Sequence, residues 1–371
     1  MIEEERNPWK TIDELIELKQ PFAVYRLPGE KSICLLIGEV ESLQYIYDLK
    51  DLNNQKGFVI APFNVDQSCP IVLLQPEKEI FFYLDEVSES EDLINRTYLE
   101  ESFSGDCSEA YASCFSKFIQ ALREETFDKL VLSRSWTVSK KSVFSSVSVL
   151  RAACRQYKHS YIYLCYTPQT GMWLGSTPEI ILSGESNWWN TVALAGTQPL
   201  FNGALPLEWD DKNRQEQEYV AAYVRHQLFL LDIHPEEKGP YPSYAGALSH
   251  LKTDFHFSLD ESEKLGDLLK VLHPTPAVCG LPKEEAYRFI LENERYERSY
   301  YSGFIGWIDP KGKTDLYVNL RCMHIDDTSL TLYAGGGLLA SSELKDEWQE
   351  TEKKMQTMRR LLLSGLRNNE L

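Results

Sequence analysis

The sequence lacks a hydrophobic run of the roughly 18 residues that a membrane-spanning helix needs, which argues against a helical membrane protein. It also lacks a basic excess. Its 38 Lys and Arg face 56 Asp and Glu, a formal charge of −18, whereas nucleic acid or an anionic membrane surface calls for a positive face. There is no C-x-x-C and no His pair at metal spacing. The eight cysteines (34, 69, 107, 114, 154, 165, 279 and 322) stand far apart in apolar surroundings, so free thiols in a reducing compartment are expected rather than disulfides or zinc ligands. The opening stretch "MIEEERNPWK" is acidic and polar, unlike a signal peptide, and a cytoplasmic protein is expected. No Ser-His-Asp elbow, Walker loop, G-x-G-x-x-G fingerprint or internal repeat is present.

What is present is an ordinary globular balance: 371 residues, 43% hydrophobic and 25% charged, enough for two domains or one large one. Up to about residue 105, short apolar runs such as "SICLLIG" and "IFFYL" alternate with turn clusters, the pattern of antiparallel strands, with a short helix near the start. From Ser108, Tyr111, Phe115, Phe118, Ile119 and Leu122 fall at helical spacing and lead into the strand "KLVLSRSWTV". Further strands mix with helices near 142–157, 211–233, 283–293 and 342–364. Several strands follow one another without a helix between them, which favours an α+β fold with antiparallel sheets over a doubly wound parallel one. "HPEEKGPYPSYAG" reads as the clearest long loop, and "YVNLRCMHI" as one strand that carries Arg321.

Several side chains could carry chemistry. In "AGGGLLASSELKDEWQETEKKM", Glu347, Glu350 and Lys354 share one helix face, because residues three and four apart are neighbours. Lys212 and Glu216 in "DDKNRQEQEYV" are likewise four apart. Magnesium takes hard oxygen ligands, typically one or two protein carboxylates plus substrate oxygens, and glutamates from two helices would suit it. Solvated helix faces with i,i+4 ion pairs are the simpler account of either set alone. Gly335, Gly336 and Gly337 end a strand, where they could turn N–H groups toward an anion or make a bulge. A strand-borne Arg321 calls for a carboxylate partner, from the protein or from a ligand. Lys129 could serve as a general base and Glu179 as a general acid, although no spacing rule links them and both could be plain strand-end charges. For His250 and His273 a structural role is the default.

Taken in order, "KLVLSR", "GSTPEIIL", "ALAGTQP", "KNRQEQEYV", "SHLKT", "LHPTPAVCGLPKEEA", "YYSGFIGWID", "LYVNLRC" and "LYAGGGLLASSELKDEWQETEKKM" resemble the chorismate-binding enzymes. That family includes isochorismate synthase, salicylate synthase and the large subunits of anthranilate and aminodeoxychorismate synthase. The resemblance covers residues 108 to 364. It implies an α+β fold of two packed antiparallel β-sheets surrounded by helices, with residues 1–107 a variable N-terminal lobe of the same fold and 108–371 the catalytic core. It further implies that Glu216 and Glu350 hold Mg²⁺, with Glu347 supporting it through water. Arg321, Lys354 and the N–H groups of Gly335 and Gly336 would bind the carboxylates of chorismate. Gly196, Thr197, Thr275, Ala277 and Tyr301 would line the pocket, and His250 would stand near the pyruvyl side.

By the same resemblance Lys129 activates a water at C2 and Glu179 protonates the hydroxyl leaving C4, which gives isochorismate. Ala195 stands where one type of aminodeoxychorismate synthase carries a nucleophilic lysine, so amination by that route is disfavoured. Salicylate synthase is the alternative, and an aminating enzyme or an inactive chorismate-binding protein are further ones. The "HPTPA" turn resembles the members that stop at isochorismate. Two departures from the family pattern, Asn213 and Gln198, are expected to affect affinity rather than reaction type. No obligatory glutaminase partner is expected, and a monomer is the simplest expectation. The downstream use would be menaquinone, siderophore or salicylate synthesis.

Overall fold

The computed structural model describes residues 7–84, 108–245, 248–259 and 264–363. Among these residues two nine-stranded sheets form the body, and every strand pairing described within them is antiparallel. The first runs in space β14 (Gly280–Leu281), β7 (Lys129–Ser139), β18 (Ser329–Leu338), β17 (Cys322–Ile325), β9 (Gly171–Thr177), β8 (Tyr161–Thr167), β1 (Phe22–Arg26), β2 (Ser32–Ile37) and β6 (Lys78–Tyr83). The second runs β12 (Glu236–Ala245), β13 (Leu248–Phe257), β11 (Trp188–Pro199), β10 (Ile180–Glu185), β16 (Lys313–Val318), β15 (Phe304–Ile308), β4 (Gly57–Ala61), β5 (Ile71–Leu74) and β3 (Leu43–Ile46). Strands from residues 22–83 thus extend one end of each sheet.

The alternation of side chains along a strand explains the layering. In "YIYLCYT", Tyr161, Tyr163 and Cys165 point into a cluster shared with Phe58, Ile60, Val72 and Tyr317 of the second sheet. Ile162 and Leu164 point the other way, onto α1 (Pro8–Glu17) and α3 (Ser146–Gln156). Because both faces are covered, the strand is apolar at nearly every position. The outer face of the second sheet packs on α4 (Asp211–Leu230) and α5 (Leu265–Leu272). The helices α2 (Glu109–Arg123), which buries the periodic residues from Tyr111 to Leu122, and α6 (Lys283–Asn293) cover β7 and β14. The last helix, α7 (Leu344–Leu362), lies on β18. The layers run helix, sheet, sheet, helix.

One expectation is overturned. The stretch read as a long loop contains β12, paired with β13 along its length. Gly239 and Pro240 fall where the register shifts, and β12 is the outermost strand, so a proline there leaves no ladder bond unmade. The seven described cysteines are free, and all but Cys69 are buried; Cys107 lies outside the described residues. No helix among the described residues is long and apolar enough to cross a membrane.

A buried ion pair ties three segments together. Arg298 donates to Glu294 Oε2 (2.5 Å), to the Val278 carbonyl (2.7 Å) and to the Val131 carbonyl (2.9 Å). Glu294 Oε1 in turn accepts from the Ser133 N–H (2.6 Å) and hydroxyl (2.8 Å). Removing one member of such a pair strands a buried charge. Arg298→Met is expected to lower unfolding free energy by about 3–5 kcal/mol, read from urea denaturation. A loss below about 1 kcal/mol would show the pair to be energetically idle.

Candidate active site

Two of the connections by which the chain passes between the sheets lie side by side. Residues 178–179 connect β9 to β10, and residues 319–321 connect β16 to β17. The Val318 N–H bonds to the Glu179 carbonyl (2.8 Å), the Ser176 N–H to the Arg321 carbonyl (3.0 Å), and the Thr177 hydroxyl to the Val318 carbonyl (2.6 Å). Glu179 and Arg321 are thereby fixed at the seam. Arg321 is consequently not within a continuous strand, as the pattern suggested; it sits at the break, with φ +48°.

A pocket of about 590 Å³, its open mouth included, lies at this seam. Its walls include Glu179, Gly196, Thr197, Glu216, His250, Ala277, Tyr301, Arg321, Gly335 and Lys354 of the expected residues. Lys129, Thr275, Gly336, Glu347 and Glu350 are not among its lining residues, but Lys129 contacts Glu216, Thr275 contacts Glu179 and Glu350 contacts Lys354, which are. Sequence reasoning missed Val131, Pro178, Leu194, Val278, Leu320 and Ala334 as lining residues, whereas Gly337, from the glycine run, does line it. Val131 was within reach, since it is two residues from Lys129 and shares its strand face.

Lys129 is fully buried, with Nζ 3.1 Å from Glu216 Oε1. Glu179 is 3% exposed and accepts from the Thr275 hydroxyl (3.3 Å). Burial pushes its carboxyl up to about 7, against the opposing pull of Lys129, Thr275, Lys354 and Arg321. Its partner atoms show His250 to be a neutral imidazole with the proton on Nδ1. That nitrogen lies 2.6 Å from the Gly196 carbonyl, which can only accept, and Nε2 lies 2.9 Å from Arg321 Nη2, which can only donate. Burial and then Arg321 push its pKa down to about 3, consistent with that form. Arg321 Nη1 is buried without a partner, and no ion pair to this residue occurs among the described residues. Arg321 lines the pocket with that donor free.

The glycine run needs a correction. Ser133 and Val131 send their N–H groups away from β18, to Glu294 and Cys279, so their partners Gly335 and Gly337 form non-hydrogen-bonded pairs with β7. By alternation, the Gly336–Leu132 pair is the hydrogen-bonded one, and the Gly336 N–H is used by the ladder instead of facing a ligand. Gly335 and Gly337 turn their peptide groups to the strand's other edge, which β17 leaves uncovered beyond Leu332. The Gly335 carbonyl there accepts from Lys354 Nζ (2.9 Å), which also bonds Glu350 Oε1 (2.7 Å) and keeps a third proton.

The glycines also make room. A Cβ on Gly336 would lie 3.3 Å from Glu350 Oε1 and 3.4 Å from Glu347 Oε2. One on Gly337 would overlap Glu216 Oε1 and lie 2.9 Å from Lys129 Cε. Glu347 is 1% exposed, and its Oε2 is buried without a partner. Lys212 from α4 reaches Glu347 Oε1 (2.5 Å) and feels the charges of Glu216 and Glu350 as well, so the acids of α4 and α7 meet around one ammonium group. Burial raises the Glu347 carboxyl and the Glu350 charge raises it further. Burial opposes the Glu350 carboxylate too, yet Lys354 holds it below the usual range. Among the described residues no three His, Cys, Asp or Glu already stand at metal-coordinating spacing.

The two sequence departures converge on one cap. Asn213 accepts from the Thr197 N–H (2.7 Å) and donates to Asp210 Oδ2 (2.7 Å), and Gln198 reaches the same oxygen (3.4 Å). Asp210 caps α4, the helix that carries Glu216. Both residues therefore fix the helix entry rather than face the pocket.

A double-sheet fold with carboxylates, buried cations and a high-pKa acid at its seam defines an enzyme-like site for a small anion. The family described as "Chorismate binding enzyme" matches residues 71–363, and the chain belongs to it. Isochorismate synthase DhbC of Bacillus subtilis is 31% identical over 270 residues, 68% of this chain and 68% of that protein. Isochorismate synthase EntC of Escherichia coli is 30% identical over 242 residues, 62% and 61% of the two chains. The structure of MenF, the menaquinone-specific isochorismate synthase of Escherichia coli, superposes with a TM-score of 0.74 at 20% identity, covering 92% of this chain and 88% of that one. That likeness establishes the shared fold.

Proposed function

We propose that this protein is an isochorismate synthase: it adds water at C2 of chorismate and expels the C4 hydroxyl. The observation that carries the reading is a wholly buried lysine whose charge is felt by a buried glutamic acid, its carboxyl pushed up to about 7 by burial, beside a pocket lined by Arg321 and Lys354. Lys129 takes the proton of the attacking water as the C2–O bond forms. The ring double bonds shift and the C4–O bond breaks. Glu179 gives its proton to the departing hydroxyl, which leaves as water, so the net change is an isomerisation. Arg321 and Lys354 hold the two substrate carboxylates, and Tyr301 and Ala277 bound the ring. Ala195, 5% exposed in the pocket wall, offers no nucleophile for a covalent route.

Magnesium fits the donor set. All its candidate ligands, Glu216, Glu350 and Glu347, offer hard carboxylate oxygens, one of them buried without a partner, beside glycines that leave the space open. Bound there, Mg²⁺ would neutralise a substrate carboxylate and fix the ring's position.

The test is incubation of purified protein with chorismate, with and without Mg²⁺, and separation of products by chromatography with mass detection. Isochorismate formed only with the metal is expected. Salicylate with pyruvate would replace this reading by a salicylate synthase, an aromatic amine formed with ammonium would point to an aminating enzyme, and no product would leave a binding protein. The protein is expected to work as a monomer without a glutaminase subunit, which sedimentation of the active preparation would check.

A further inference from the structure

The proposed metal site leaves one cation without a task. Lys129 and Lys354 have roles in the reaction, but Lys212 does not, although its Nζ lies 2.5 Å from the most deeply buried carboxylate of the set. Glu347 Oε1 also accepts from the Ser342 hydroxyl at 2.6 Å. The same hydroxyl oxygen accepts from the Leu339 N–H (3.1 Å), which anchors it to the loop before α7. Two donors from two elements thus occupy Oε1. Oε2 has no partner and points to the space at Gly336, where Glu350 Oε1 also arrives.

We propose that Lys212 and Ser342 are positioning residues that clamp Glu347 by one oxygen and thereby aim the other at the divalent cation or its bound water. The inference rests on the reading of Glu216, Glu347 and Glu350 as the magnesium anchor. A carboxylate free to rotate could turn both oxygens toward Lys212. Held by Oε1, it keeps Oε2 on the metal side at all times. Lys212 does this from α4, four residues before Glu216, and so couples the two helices that supply the ligands.

The experiment titrates full-length protein with Mn²⁺, a hard cation that favours the same oxygen donors, and reads the free ion by its paramagnetic resonance signal. Loss of such an outer partner typically weakens metal binding about 10–100-fold. Lys212→Met is expected to fall in that range. Ser342→Ala is expected to lose about threefold to tenfold, since one donor remains, and Lys212→Arg to stay within about threefold of the parent. Should Lys212→Met fail to fold, Ser342→Ala carries the test, and unchanged binding in it overturns the clamp. Binding in Lys212→Met that equals or exceeds the parent's also overturns it, and identifies the ammonium group as a bystander or a competitor. If the parent chain itself binds no Mn²⁺, the magnesium assignment fails and the clamp falls with it. Binding by the parent with no effect of either substitution sinks the clamp alone.

Discussion

Lys129→Ala is expected to remove nearly all chorismate turnover, about 10²–10⁴-fold in kcat, with the fold retained. The side chain is fully buried at its strand position, so bulk water cannot stand in for the amine. Its only charged neighbour at contact distance among the described ion pairs is Glu216, 3.1 Å away. Lys129→Gln keeps polarity and most of the length but accepts no proton, and it should be as inactive as the alanine variant. If the glutamine variant kept more than about a tenth of the activity, neither proton transfer by Lys129 nor its positive charge would be required for the reaction.

The partner acid adds a pH signature. Glu179 must carry its proton to release the hydroxyl, and burial sets its pKa at about 7. The rate is therefore expected to fall as pH rises through that value. The stability linkage has the same direction. A carboxyl raised from 4.5 in the unfolded chain to about 7 in the folded one binds its proton more tightly when folded, so its contribution to stability declines as pH rises between those values.

Much of the site was legible because helices announce themselves by spacing. Glu347, Glu350 and Lys354 were placed on one face from their separation alone, and Lys354 does contact Glu350. Glu179 and Arg321 were another matter. No periodicity marks a strand that leaves one sheet for the other, so "YVNLRCMHI" reads as continuous although the chain crosses between layers at residues 319–321. The residue types leave both roles open and the family resemblance narrows them, while the geometry supplies the reason they stand together: two crossovers share hydrogen bonds. The misread edge strand β12 has a similar origin. Proline and glycine mark loops in general, but an outermost strand with a bulge tolerates them. Which glycine offers its N–H depends on the parity of strand pairing, which only the register of β18 on β7 reveals.

Gly337→Ala is expected to cripple the enzyme more than Gly336→Ala, and the contrast separates space from backbone chemistry. Neither glycine has a positive φ, so alanine strains neither backbone. At Gly337, however, the new methyl group would claim the place of Glu216 Oε1 and press on Lys129 Cε at 2.9 Å, so the proposed base and the proposed metal ligand would both have to move. A displacement near 1 Å can cost about 10²-fold in rate, and a loss of at least that size is expected, together with weaker Mn²⁺ binding. At Gly336 the contacts to Glu350 and Glu347 would be 3.3 and 3.4 Å, which a shift of a few tenths of an ångström relieves. A loss of about tenfold or less is expected there. Were the glycines chiefly ligand-facing N–H donors, both alanine variants would keep the amides and retain activity alike. Unequal loss, larger at Gly337, is the result that ties this strand end to the carboxylates pressed against it.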